Sequence, residues 1–575
     1  LRSTDDLELV VNRGSSFFYF RIRTYARNQV SIFALVLLLT GACIGIQAFG
    51  QSLQSENQSN TAHGIVVNAV THDPVGRALV YSGDNRYAAL TDGEGHFEFT
   101  LPKDDHNSIF LMARKPGFLD DPNERRPVEM SPGAEVTLSL MPEGLIKGHV
   151  TSSAADPANR VDVLLFSREV QEGSPRWVQK NTAYTNSNGE FRFADLQPGT
   201  YKVLTSEWMD NDPVTAVPGG QLYGFPPVYY PGAADFAEAS TIQLTAGQIF
   251  QADLSLVRQP YYPVKIPVTN SEETGGMNIT VSLQGQRGPG YSLSYNPRRQ
   301  MIDGQLPNGK YLVEAATYGK SSATGSVNLT VAGAPAEGPA MVMAGSNAIN
   351  VNVKEEFTST DGPRFGTWSD GKHTFSLHGP RLDINIRAFS MDDFGAQRSG
   401  SIRQPMGPND DLLVLENLAP GRYWLRLHAA RGYVASATMG GVDLLREPLV
   451  VVPGANASID ITMRDDNAEL EGTLLGVPAP ALDSTRPAPV GYVYCIPLPD
   501  SSGQFLELGA SSDGTFNYQT VAPGNYRVLA FKNPQRDLPY RDAEAMKVYE
   551  TKGQVVHFAA GQKASVQLEI ISSVE

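Results

Sequence analysis

The sequence predicts an all-β chain: tandem antiparallel β-sandwich domains behind an N-terminal signal or anchor segment. Three observations carry this. A turn–strand–turn–strand pattern recurs along the chain, its copies lie about a domain's length apart, and the composition favours turns. The 575 residues include 54 Gly and 39 Pro. They exceed what one hydrophobic core can serve, so several domains are expected. After the N-terminal segment no stretch keeps capped helical periodicity over three turns; the clearest short helix candidate is 542–548.

The pattern is most complete at residues 185–203. Asn186 to Gly189 form a turn cluster, Phe191 and Phe193 alternate with Arg192 and Ala194, Pro198-Gly199 make a second turn, and Tyr201 and Val203 alternate on the returning strand. It returns with Asp513, Gly514, Phe516, Pro523, Gly524 and Tyr526. Its second half recurs with Pro420, Gly421 and Tyr423, and with Asn308, Gly309 and Tyr311. Its first half appears early with Asp92, Gly95, Phe97 and Phe99. Tyr201, Tyr311, Tyr423 and Tyr526 are separated by 110, 112 and 103 residues, a period of whole domains rather than solenoid turns.

In order, residues 1–50 read as an extension and signal peptide. Arg21, Arg23 and Arg27 precede an apolar run from Val30 to Ala48, and a cleavage site is expected after Gly50. Retained, the same run would be an anchor, the chain's only membrane contact. A lipoprotein reading at Cys43 is weaker, because Thr40 stands where a large aliphatic residue is usual. Residues 51–60 are a polar linker. Sandwiches are then expected at 61–142, 143–259, 260–354, 355–466 and 467–575, the third and fourth more divergent at their starts. Ile349 to Val353 is expected to close the third, and Ile459 to Met463 the fourth. Two cysteines, Cys43 and Cys495, allow no disulfide framework, and Cys495 reads as a small buried hydrophobe.

Gly-aliphatic openings at Gly64, Gly148 and Gly472, the Gly-x-Phe hairpin and the Pro-Gly-x-Tyr return resemble the carboxypeptidase regulatory-like domain. The resemblance implies a transthyretin-like or carbohydrate-binding-like sandwich, in an exported multi-copy protein of acidobacterial type. It covers the first, second and fifth units well. The Cna-B-type adhesin repeats share the hairpin. Their cross-linked members need a buried lysine in each domain; Lys147 and Lys265 are early-strand lysines, but none recurs in register, so isopeptide bonds are not expected.

Net charge −15 and a pI near 5.2 argue against nucleic acid as partner. None of the nine histidines has a glutamate three residues on, so the zinc site of a carboxypeptidase is missing. No Gly-x-Ser-x-Gly elbow occurs. Residues 366–373 nearly match a phosphate loop but end in His373, and a hairpin turn is the better reading. Acidic pairs at 120–121, 210–212 and 392–393 read as solvated turns rather than calcium sites. The expectation is therefore a non-enzyme without cofactor or metal. Its partner is expected to be a polysaccharide or cell-surface protein, and its location the periplasm, cell surface or medium. The alternative is an accessory subunit of a polysaccharide- or peptide-processing system. The candidate binding residues are Tyr223, Phe225, Tyr229 and Tyr230, in a Gly- and Pro-rich loop, and Trp424. Trp424 follows core-facing Tyr423 and so points to the opposite sheet face.

Overall fold

Five times along the chain, one strand opens a unit, pairs antiparallel with a strand in the middle of the unit, and pairs parallel with a strand near the unit's end. Asn60–Asn68 does so with His96–Leu101 and Glu135–Pro142. Gly144–Thr151 does so with Glu190–Leu196 and Ile249–Gln251. Gln259–Thr269 takes Met301–Pro307, then Ala336–Glu337 and Met341–Val342. Asn347–Glu356 takes Leu413–Leu418 and Ile459–Arg464, and Ala468–Leu475 takes Thr515–Val521 and Lys563–Glu569. A second layer in each unit is built on the returning strand: Ile109–Arg114, Gly199–Thr205, Gly309–Tyr318, Gly421–Ala429 and Gly524–Phe531. Each unit encloses its own apolar core. The chain is thus all-β, in tandem sandwiches.

The computed structural model describes residues 60–571, with gaps at 102–108, 122–127, 131–134, 153–155, 211–219, 270–275, 285, 319–322, 346, 360–364, 370, 372, 392–398, 408–409, 453, 455, 477–488, 500 and 502. The expected signal segment, the linker up to residue 59, residue 212 of the acidic pair at 210–212, and the pair at 392–393 lie outside these residues. Residues 59–575 form one compact unit by contact. Among the described residues no helix is long and apolar enough to cross a membrane.

The repeated residues have identifiable mechanical roles. Gly64, Gly148 and Gly472 stand opposite Phe97, Phe191 and Phe516 in the antiparallel pairing. A Cβ there would collide with the carbonyl oxygens of Val136, Ala252 and Val566 on the parallel neighbour, and with the phenyl ring. The ring lies across the bare backbone, so glycine and phenylalanine form one filled volume. In the divergent units the same register holds Ile266 opposite Ile302 and Val351 opposite Leu413. Two medium side chains replace a small and a large one, which keeps the volume.

The four marker tyrosines are buried, and each hydroxyl donates to the carbonyl four residues upstream: Tyr201 to Gln197 (2.7 Å), Tyr311 to Pro307 (2.9 Å), Tyr423 to Ala419 (2.8 Å) and Tyr526 to Ala522 (2.8 Å). The turn between donor and acceptor, Pro-Gly in three copies and Asn308-Gly309 in the other, brings them together, a tyrosine corner in function. In the first unit the buried Ile109 occupies the register of Tyr201, since Val80 pairs with Ala113 as Val163 pairs with Thr205. It fills the core without the hydroxyl link.

The strand expected to close the third unit is corrected. Ile349 to Val353 belongs to Asn347–Glu356, whose partners Leu413–Leu418 and Ile459–Arg464 are both in the fourth unit. Apolar alternation gives a strand but no hint of whether it opens or closes a unit. The fourth unit also differs in that Ser399–Ile402 pairs with strands of both layers, joining them into one nine-stranded sheet. Phe365–Ser369 and Thr374–His378 pair as a hairpin, the expected reading of the phosphate-loop-like stretch. The short helix is a 3-10 turn at Ala545–Tyr549.

Candidate functional site

The aromatic loop after the second unit's tyrosine strand is a joint. Trp208–Met209 and Leu222–Phe225 pair with each other, and the latter with Gln259–Thr269, so the loop adds two strands to the third unit's sheet. Gly224 is required there: a Cβ would come 2.9 Å from the Tyr261 ring and 3.0 Å from the Met209 sulfur. Phe225, 5 % exposed, stacks on Trp208 with ring centres 5.1 Å apart. Tyr229, 3 % exposed, enters a small core on the outer face of the second unit with Leu164, Phe166, Trp177, Leu204 and Phe236. Its hydroxyl donates to the Pro289 carbonyl of the third unit at 2.7 Å. Phe225 and Tyr229 therefore have no free face for a sugar. Burial between neighbours, not recognition, accounts for them, and the expectation of a stacking platform at these two residues is corrected. Tyr230 is half-buried, edge-on to Phe250 at 5.8 Å. Tyr223 is half-buried beneath Arg258, whose guanidinium carbon is 3.9 Å from the ring centre and whose Nε donates to Asp210 at 2.7 Å.

Trp424 lies elsewhere. Tyr423 faces the fourth unit's core at 1 % exposure, and alternation turns Trp424 to the outer face. There it meets the second and fifth units. The long hairpin of Asp162–Gln171 and Ser174–Tyr184 carries Glu172 and Gly173 at its tip, with φ of 51° and 74°. This is the backbone sense of a tight two-residue hairpin turn. The tip docks on the fifth unit. The Arg541 backbone N–H donates to the Gly173 carbonyl and its Nε to the Glu172 carbonyl, both at 3.0 Å. A Cβ on Gly173 would sit 2.7 Å from the Tyr540 ring, which itself stacks on Phe505 at 3.9 Å and 7°. The Glu172 carboxylate takes two hydrogen bonds from Arg426 of the fourth unit, Nη2 to Oε1 at 2.8 Å and Nε to Oε2 at 2.9 Å. This forked geometry fixes orientation as well as charge.

A cavity of about 590 Å³ opens at this meeting point, walled by Trp424, Arg426, Arg446, Phe505, Arg527 and Met546 among others. That volume suits a small ligand or a short stretch of a polymer. The Arg541 guanidinium carbon is 4.0 Å from the Trp424 ring centre. Arg527 donates to the Glu550 carbonyl at 2.6 Å, so its charge meets a dipole rather than an anion in that bond. The indole Nε1 of Trp424 is buried and has no hydrogen-bond partner. The site offers guanidinium groups and aromatic and apolar walls, which is equipment for holding a ligand. Glu172 has both oxygens occupied by Arg426 and is not a free base.

Among the described residues no group of three or more His, Cys, Asp or Glu is placed to share a metal. Cys495 is fully buried, and burial pushes its thiol up to about 12, away from nucleophilic use. Lys147 and Lys265 are exposed, unlike the buried lysine of a cross-linked repeat. Sequence reasoning singled out Trp424 as a candidate but not Glu172, Arg426 or Arg541, which the structure brings close to it. The one local signal, Glu-Gly between two long strand patterns, names a turn and not what the turn touches.

No family model and no curated protein matches the chain. Solved structures similar to it include the minor pilin of Streptococcus agalactiae, at 13 % identity and TM-score 0.18 over 35 % of this chain and 97 % of that one. A streptococcal ancillary pilin aligns at 13 % and 0.16 over 49 % and 99 %. The major pilin subunit of Bacillus cereus aligns at 11 % and 0.13 over 56 % and 99 %.

Proposed function

We propose that this chain is an exported, non-enzymatic binding and scaffold protein that engages surface carbohydrate through the cavity beside Trp424. The observation that carries the reading is the convergence of three units on that cavity, walled by Trp424, Phe505 and several arginines. Aromatic walls suit the apolar face of a sugar, and guanidinium groups donate to its hydroxyls. Guanidinium groups extend the reading to acidic sugars. The basic-flanked apolar stretch before Gly50 supports export, and the carboxypeptidase regulatory-like resemblance supports a carbohydrate-binding-like use of the sandwich. A glycan array with the wild-type chain and Trp424→Ala tests it. Binding by the wild type that drops at least tenfold in the variant is expected. No glycan bound, or equal binding by both, overturns it.

A further inference from the structure

Glu207 stands where the chain leaves the second unit's tyrosine strand, one residue before Trp208–Met209, which pairs into the third unit's sheet through Leu222–Phe225. It is held across the joint on both sides of its own backbone. Its N–H donates to the Gly290 carbonyl at 2.9 Å. Its Oε1 accepts the Ser292 backbone N–H at 2.8 Å and the Ser292 hydroxyl at 2.7 Å. The other oxygen, Oε2, is buried without a partner, and so is the hydroxyl of Tyr261, a residue with no exposed surface. The titratable groups facing this carboxyl are Tyr261 on the opening strand of the third unit, Tyr291 on its Gln286–Tyr291 strand and Tyr311 on its tyrosine strand. All three bring neutral hydroxyls, and Ser292 brings a hydroxyl and an amide.

An ionised carboxylate in this place has one oxygen well served and the other stripped of water, with no cation facing it among the described residues. A neutral carboxyl keeps the Ser292 bonds through its carbonyl oxygen and leaves no buried charge at the unpartnered oxygen. We propose that Glu207 is a protonation-operated latch between the second and third units, closed while its carboxyl is neutral and loosened when it ionises. Burial pushes this carboxyl up to about 7, against the lowering effect of the two Ser292 hydrogen bonds. The sign follows from linkage. A carboxyl whose value in the closed joint exceeds its free value of 4.5 favours closure in full below 4.5, and that advantage is lost as pH rises towards 7. The bearing on function is direct: the aromatic joint would hold the second and third units at a fixed angle in acid and free them near neutrality, while the cavity beside Trp424, which involves neither Glu207 nor the third unit, keeps its shape.

Hydrogen exchange of the full chain, read by mass spectrometry on peptides spanning residues 286–293 and corrected for the intrinsic pH dependence of exchange, tests this. Protection in the wild type is expected to fall by up to ~300-fold in all from about pH 3.5 to about pH 8, most of it between 4.5 and 7, and to level off above. Glu207→Gln, neutral at every pH, is expected to hold the acidic-side protection throughout. Ser292→Ala removes one of the donors that favour the ionised form, and is expected to move the midpoint to higher pH. A flat wild-type profile, a Glu207→Gln profile that follows the wild type, or a midpoint unmoved in Ser292→Ala would each overturn the latch.

Discussion

The second unit meets its neighbours in two places that differ in what they leave open. Towards the third unit it contributes aromatic rings that interlock: Phe225 on Trp208, Tyr229 against Phe236, and a hydroxyl bonded across to Pro289. Towards the fourth and fifth units it contributes a two-residue tip held by Arg426 and Arg541, beside a cavity of about 590 Å³. The first contact is filled because flat rings and branched chains pack closely; the second stays open beside guanidinium groups that are held by carbonyl and carboxylate oxygens. Density of aromatic residues in this sequence marks where units adhere. Trp424, beneath Arg541, stands instead beside an open cavity.

The contrast can be broken most severely at Tyr229. Tyr229→Ala removes a buried ring and its cross-unit hydrogen bond, and a loss of about 3–5 kcal/mol in urea titration of the full chain is expected. A loss below about 1 kcal/mol would mean the joint is not a packed core. Next comes Gly173→Ala at the other contact. The left-handed φ of 74° and the Tyr540 ring both oppose a methyl group, and about 1–2 kcal/mol is expected, released locally by undocking the tip. Small-angle scattering should then show a larger radius of gyration, and an unchanged one would show that the tip is not a clamp. The smallest effect is expected for Tyr223→Ala, about 0.5–1 kcal/mol, since its ring is half-buried and its partner Arg258 keeps Asp210. A cost as large as that of Tyr229 would erase the distinction between the joint's packed interior and its rim.

Much of the fold was legible because it is carried by residues with one physical use. Gly514, with φ of 80°, and the Asp513 carboxylate accepting the Thr515 N–H show why that hairpin turn can be read from letters alone. Tyr201 and its counterparts announced cores because a Pro-Gly turn and an aromatic on the following strand seldom serve anything else. The Ile266–Ile302 and Val351–Leu413 pairs were illegible as equivalents of Gly148–Phe191, since conserving volume across two strands leaves no trace in either strand read singly. The polarity of Asn347–Glu356 was hidden for a related reason: opening and closing strands share one alternation. At the candidate site, Trp424 was legible from its place beside Tyr423. Glu172 and Arg426 were not, because they are 254 residues apart and are joined only by the way the units fold back on each other.

The parallel pairing of each unit's opening strand with its closing strand sets how the chain bears load. Because the two run the same way side by side, the polypeptide enters a unit at one end and leaves at the opposite end. Tension on the two ends slides these strands along each other, so the hydrogen bonds between Ala468–Leu475 and Lys563–Glu569, for example, must yield together rather than one by one. A hairpin pulled from its open end would unzip instead. The sandwich that organises the core is thus also arranged as a tether, able to stay folded under a pull along its own axis.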